Sequence, residues 1–170
     1  DLPALVAQTV RLMEPYAAER QVTLLYEPPH DFNWQPALDG RAIQQALVNL
    51  IDNAVKHSPA GAAVTVTLAA ASARGSADSS TPDAAPRLTL AVSDRGPGIP
   101  AAERARIFEP FYRRGSELRR ETTGVGIGLS LVKHIVEAHG GQVRVESGLG
   151  EGSRFVIALP VNEPLPETPT

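Results

Sequence analysis

The chain of 170 residues contains no cysteine. That excludes disulfides, thiolate catalysis and Cys-ligated zinc or iron–sulfur centres. Aromatic residues make up only 5%, so the core has to be built from aliphatic side chains. Neither sign of charge dominates: 16 Lys+Arg against 19 Asp+Glu leave a net charge of −3. This balance argues against a general nucleic-acid binder or a binder of anionic membranes. No apolar run approaches the roughly 18 residues of a membrane-spanning helix, so direct membrane insertion of this segment is not expected. The phosphate-binding P-loop pattern G-x-x-x-x-G-K-[ST] occurs nowhere. The first residue is Asp1, not Met, and the chain is expected to be a segment of a longer protein. What is present is a globular composition, 42% hydrophobic and 21% charged, at a length that suits one domain with its own core.

Leu2, Leu5, Val6, Val10, Met13 and Ala17 recur at steps of three and four, the spacing of an amphipathic helix over residues 3–19. Residues 22–27 read as a strand ended by Pro28 and Pro29, and a second short strand is expected over 32–38, confined to an edge by Pro36. Asp39 is placed to cap a helix that runs to His57 and stops at Ser58-Pro59. Residues 63–70 and 87–93 alternate as strands. Between them, 71–86 is mostly Ala, Ser, Gly, Asp and Pro without periodicity, read as a flexible hairpin excursion. A short helix is expected over 101–108 and another over 127–139, ended by Gly140-Gly141. Residues 142–146 and 154–159 form a hairpin around a Gly-rich turn. Residues 161–170 read as a disordered tail. Paired antiparallel strands with helices between them define an α+β fold, one sheet with helices on one face.

Four clusters carry chemistry. On the helix after Asp39, Gln45, Asn49, Asn53 and Lys56 share one side, opposite Ile43, Leu47, Leu50, Ile51 and Ala54. Asn is a poor helix former, so two of them one turn apart beside a Lys suggest a ligand-holding face. Carboxamide oxygens suit a hard cation such as Mg²⁺, and Lys suits phosphate. An ordinary polar face remains open on this evidence alone. Next, Asp94-Arg-Gly96-Pro-Gly98-Ile99 follows a strand directly, where glycines let backbone approach a ligand and Asp94 can accept from an amino group. A plain turn is the alternative. Then Gly124-Val125-Gly126-Ile127-Gly128-Leu129 opens a helix, where free N–H groups and the macrodipole favour phosphate. Last, Phe108 and Phe111 precede Arg113 and Arg114, two guanidinium groups that could reach a terminal phosphate. His134 and His139 lie about 140° apart around a helix and do not form a metal pair.

In this order, Asn49-Leu-Ile-Asp-Asn53-Ala-Val-Lys56, Asp94-Arg-Gly96-Pro-Gly98, Ile107-Phe-Glu-Pro-Phe111 and Gly124-Val-Gly126-Ile-Gly128-Leu129 resemble the N, G1, F and G2 boxes of sensor histidine kinases. Gly150-Glu-Gly152-Ser-Arg-Phe155 resembles the further glycine motif of the closing hairpin. The resemblance spans residues 1–160, the catalytic and ATP-binding domain of that family within the GHKL superfamily. It implies a two-layer α/β sandwich of the Bergerat type, with a mixed, mostly antiparallel sheet and a flexible ATP lid over 109–123. It further implies that Asn53 coordinates Mg²⁺ with Asn49 beside it, that Lys56 contacts phosphate, and that Asp94 accepts from the adenine amino group. Gly96 and Gly98 would pass the nucleotide, Gly124, Gly126 and Gly128 would offer N–H groups to the phosphates, and Arg113 or Arg114 would neutralise charge. His57, Ile99, Phe108, Val125, Ile127 and Leu129 complete the implied nucleotide-contacting set. Val125 stands where many members carry Ser or Thr, which implies weaker nucleotide binding.

Asn49 separates this chain from hydrolytic cousins such as gyrases, heat-shock chaperones and mismatch-repair ATPases, which place Glu there to activate water. An amide cannot serve as a general base, so transfer to another nucleophile is favoured over hydrolysis. The family's phospho-acceptor is a His followed by an acidic residue on a helical dimerisation domain. Of the four histidines only His30 precedes an acid, Asp31, and it follows Pro28-Pro29 in a turn. The expected partners are therefore a histidine-bearing dimerisation domain of the same parent protein and a response regulator. The expected location is cytoplasmic, on a parent anchored in the inner membrane. A protein serine kinase of the anti-sigma-factor type and a degenerate nucleotide-binding module remain as alternatives.

Overall fold

The computed structural model describes residues 1–29, 36–71, 87–112 and 126–160. The chain order is α1 (Leu2–Glu19), β1 (Thr23–Glu27), α2 (Gly40–His57), β2 (Ala63–Ala71), β3 (Arg87–Asp94), two 3₁₀ turns (Ala101–Glu103 and Arg106–Phe108), α3 (Gly128–Ala138), β4 (Gln142–Gly148) and β5 (Gly152–Pro160). The sheet order is β1-β2-β3-β5-β4. Only β1 and β2 run parallel, joined through α2, and the other pairs are antiparallel. The fold is the expected two-layer sandwich with a mixed, mostly antiparallel sheet.

Caps set the helices where the sequence places them. Asp1 accepts from the Ala4 N–H at 2.9 Å, and Asp39 accepts from Arg41 and Ala42, each satisfying N–H groups that the first turn leaves without partners. The last turn of α2 carries Lys56, a cation that suits the negative end of the dipole. Helix α3 ends in a Schellman motif: Gly141 N–H donates to Val136 O and Gly140 N–H to Glu137 O, both at 2.9 Å.

The apolar stripe of α2 (Ile43, Leu47, Leu50, Ile51, Ala54) is wholly buried, against Val64 and Val66 of β2, Leu88, Leu90 and Val92 of β3, and Phe155, Ile157 and Leu159 of β5. These strand residues alternate, so one face of the sheet meets the helices. The opposite face carries Thr65, Thr67, Thr89, Ser93, Arg144, Glu146 and Arg154. Arg154 and Arg144 lie 2.9 and 3.2 Å from Glu146. The hydrogen bond from Arg154 is the main cause that lowers the Glu146 carboxyl below its usual range.

Some boundaries differ from the sequence reading. Residues 101–108 form two 3₁₀ turns in place of one helix. Only Ile107 of this segment is buried, too little apolar surface to hold a longer helix, and Glu109 is extended before Pro110 as residues preceding proline are. Both hairpin strands run further than expected, to Gly148 and from Gly152, which pair with each other. Residues 36–38 are not a strand. The rest of the expected strand over 32–38, the excursion over 72–86, lid residues 113–123 and the tail lie outside the described residues.

Helix α1 is clasped to α2 by the Tyr16 hydroxyl, which donates to Asp52 Oδ1 at 2.5 Å. Burial, then this hydrogen bond, pushes the Tyr16 phenol from 10.0 up to about 12. A raised folded-state value means that the neutral phenol stabilises the fold fully below its ordinary range, and the contribution fades as pH rises towards the folded value. The stability difference between the unaltered chain and Tyr16→Phe in urea unfolding is therefore expected to shrink between about pH 9 and about pH 12. A difference that stays constant over that interval would exclude the clasp.

Candidate functional site

Asp94 ends β3, the central strand, paired with Ser153 of β5. Its side chain is 7% exposed, so its charge and lone pairs need partners. Two backbone amides supply them at Oδ1: Gly96 N–H at 2.8 Å and Ser153 N–H at 3.2 Å. The loop after Asp94 is stitched to the β4–β5 hairpin. Ile99 N–H donates to Ser147 Oγ at 2.8 Å, and Gly150 N–H donates to Pro97 O at 2.8 Å. Ser147 Oγ in turn donates to Gly152 O at 2.7 Å. The carboxylate is thus aimed by backbone bonds drawn from 59 residues further along the chain as well as from its own turn.

The glycines of this turn are there for space. A Cβ on Gly96 would come within 2.6 Å of the His57 carbonyl oxygen, so the turn packs directly on the last residue of α2. Gly98 has φ +74°, and a Cβ there would meet Gly148 O at 1.8 Å, a contact that no side chain survives.

At the other end of the α2 polar face, Asn49 Nδ2 donates to Gln45 O at 2.9 Å. Asn49 Oδ1 lies against the first residue of α3: a Cβ on Gly128 would sit 3.2 Å from it. Among the described residues no side chain caps the N-terminus of α3, which leaves its leading amides and the positive end of the dipole facing the same region as Asn49. Gly126 O accepts from Phe111 N–H at 2.9 Å, closing the two ends of the segment between them. Ile127 and Phe111 are exposed.

Of the residues expected at the site, the structure therefore gathers two groups along α2. Asn49, at the middle of α2, meets Gly128, which Gly126 and Ile127 precede, and the turn that carries Asp94, Gly96 and Gly98 packs through Gly96 on His57 at the C-terminus. Asn53 lies on the same α2 face between them, and Leu129 is half-buried in the first turn of α3. Ile99 is buried in the apolar core. Phe108 packs edge-on against Phe155 of the core, ring centroids 6.2 Å apart. Arg113, Arg114, Gly124 and Val125 lie outside the described residues. Lys56 is held by Asp52, Nζ to Oδ2 at 2.6 Å.

Sequence reasoning assigned no role to four residues that the geometry makes important: Asp52, Tyr16, Ser147 and Ser153. The i,i+4 spacing of Asp52 and Lys56 was the available signal for the first. The two serines act through strand register, which no local pattern announces.

Residues 38–163 match the model of the histidine kinase-, DNA gyrase B-, and HSP90-like ATPase family, and the chain belongs to that family. It is 35% identical over 160 residues to the adaptive-response sensory kinase SasA of Synechococcus sp. (strain JA-2-3B'a(2-13)), covering 94% of this chain and 38% of that protein. It is likewise 35% identical to the alginate biosynthesis sensor protein KinB of Pseudomonas aeruginosa, covering 95% of this chain and 24% of that one. The chain thus spans less than half the length of these relatives. Among solved structures, the mycobacterial sensor histidine kinase MprB superposes with a TM-score of 0.73 at 28% identity, covering 97% of both chains. Full-length ShkA in complex with AMPPNP superposes with a TM-score of 0.73 at 30% identity, covering 97% of this chain and 32% of that one.

Two alanine substitutions separate steric from conformational demand. Gly150 has φ +78° with nothing within 4 Å of a built Cβ, so Gly150→Ala is expected to cost about 1 kcal/mol, the left-handed penalty alone. Gly98→Ala adds the collision with Gly148 and is expected to cost at least about 3 kcal/mol in urea unfolding. Equal losses at the two positions would contradict the stitched loop.

Proposed function

We propose that this domain binds Mg-ATP between α2 and α3 and transfers its γ-phosphate to a histidine on a dimerisation domain of the same parent protein, within a two-component signalling system. The observation that carries this reading is the pairing of two points on α2: a carboxylate fixed beside its C-terminus, and a glycine-led helix N-terminus beside Asn49, about two turns earlier. Adenine fits the first, through its amino group, and phosphates fit the second. The AMPPNP complex of a structurally similar kinase supports a nucleotide triphosphate as the ligand.

Among the described residues there is no group of three His, Cys, Asp or Glu able to hold a metal. Mg²⁺ that arrives with nucleotide needs no such cage, because it takes most of its ligands from phosphates and water. The carboxamide oxygen of Asn53 fits as its protein ligand, and the ion when bound neutralises charge on the phosphates. The chain's own residues position the rest. Asp94 fixes the base, the α3 amides orient the phosphates, and Arg113 or Arg114 is the cation for charge that develops in transfer. Asn49 lacks the basicity to deprotonate water, because its side chain is a neutral carboxamide. That directs the phosphoryl group to an external acceptor. We assign the response regulator as the next acceptor and the cytoplasm as the location. Residues 1–160 are the working unit, with 109–123 as the lid.

The test is to mix the chain with the missing histidine-bearing helices and γ-labelled ATP. Acid-labile label is expected on the helices and none on this chain alone. Acid-stable label on a serine of a partner would transfer the assignment to the anti-sigma-factor type. Binding without any transfer would reduce the domain to a nucleotide-binding module.

A further inference from the structure

The polar face of α2 has an order around the helix axis that the nucleotide reading does not use. At 100° per residue, Asp52 lies on one flank of Lys56, while Asn49 and Asn53 lie on the other. Asp52 faces α1, where Tyr16 donates to its Oδ1, and Lys56 Nζ sits on its Oδ2 at 2.6 Å. Lys56 is therefore drawn towards α1, away from the flank that carries the two asparagines. Both oxygens of Asp52 are engaged, and Arg20 lies over the Tyr16 ring at 4.1 Å from its centroid.

We propose that Tyr16 and Asp52 are positioning residues that set the availability of Lys56 to the nucleotide: Asp52 competes with the triphosphate for the Lys56 ammonium, and the Tyr16 hydroxyl sustains Asp52 when Lys56 leaves it. This rests on the assignment of Lys56 to phosphate made above. Lys56 and Asp52 are only partly exposed, with side chains 27% and 32% accessible, so the pair is less screened than a surface pair and its loss is felt. A carboxylate next to incoming phosphates also repels them unless its charge is shared. The Tyr16 phenol, a neutral donor from a different helix, shares that charge without adding a competing cation. α1 therefore bears on nucleotide affinity through one hydrogen bond, with no contact to the ligand.

The two substitutions act with opposite signs. Asp52→Asn frees Lys56 and removes the repelling charge, and is expected to tighten AMPPNP binding about threefold to tenfold while leaving adenosine binding unchanged. Tyr16→Phe leaves Asp52 more dependent on Lys56, and is expected to weaken AMPPNP binding by a similar factor, again sparing adenosine. In a Lys56→Met background both effects should shrink to the smaller direct charge effect of Asp52 on the phosphates, which a merely structural role would not produce. The readout is calorimetric titration of the folded chain with Mg²⁺, comparing the AMPPNP-to-adenosine affinity ratio across the set. An unchanged ratio in Asp52→Asn and Tyr16→Phe, shifts of the same sign, or shifts that keep their full size without Lys56 would overturn the relay alone. If the unaltered chain binds neither ligand, the nucleotide reading falls and the relay with it.

Discussion

A buried carboxylate at the end of a central strand is the constraint on which the site depends. Asp94 cannot sit 7% exposed without donors, and two of its donors are backbone amides whose positions are set by two separate pieces of chain. Gly96 supplies one because the turn collapses onto the end of α2. Ser153 supplies the other because β5 pairs beside β3 in a register that places it opposite Asp94. The hairpin that delivers Ser153 is itself tied to the loop by Ser147 and Gly150. Remove the register and the carboxylate loses its aim. The sheet therefore serves the site directly, by fixing the direction of one side chain.

Helix α2 then acts as the ruler. Its buried stripe pins it to the sheet, so the distance between its functional positions is not adjustable. From Asn49 to His57 is eight residues, about 12 Å at the rise of an α-helix. Each of these two positions meets a different partner, Asn49 the Gly128 of α3 and His57 the Gly96 of the turn. A ligand lying along this helix must carry a hydrogen-bond donor at one end and negative charge at the other. The family match over residues 38–163 and this polarity arrive at the same class of ligand from independent directions.

What the sequence made legible was whatever repeats within one element. The α2 apolar stripe, the alternation in β2 and β3, and the Asp39 cap were all readable because each follows a local period or a single capping rule. The positions of Asn49, Asp94 and the glycines could be quoted in order, and the structure places Gly128 beside Asn49 at the middle of α2 and the Asp94 turn beside its C-terminus. The failures have a common cause. Glycine at 148 and 152 reads as turn, yet both belong to the ladder because the tight turn between them holds the strands in register. Residues 101–108 read as one helix from composition, but a segment with one buried side chain has no core to organise around. Tyr16 and Asp52 are 36 positions apart, and a hydrogen bond between two helices leaves no trace in the periodicity of either.

Nucleotide selectivity tests the central claim most directly, because it questions Asp94 alone. A carboxylate fixed by two N–H donors accepts from the amino group of adenine and opposes the carbonyl that guanine carries there. Competition calorimetry of the Mg²⁺-bound ATP analogue against its guanine counterpart is expected to show a preference for adenine of at least about tenfold, the effect of one good hydrogen bond to a charged group. Equal affinity for the two bases would contradict the account, and the frame around Asp94 would then be a structural clamp with no part in recognition.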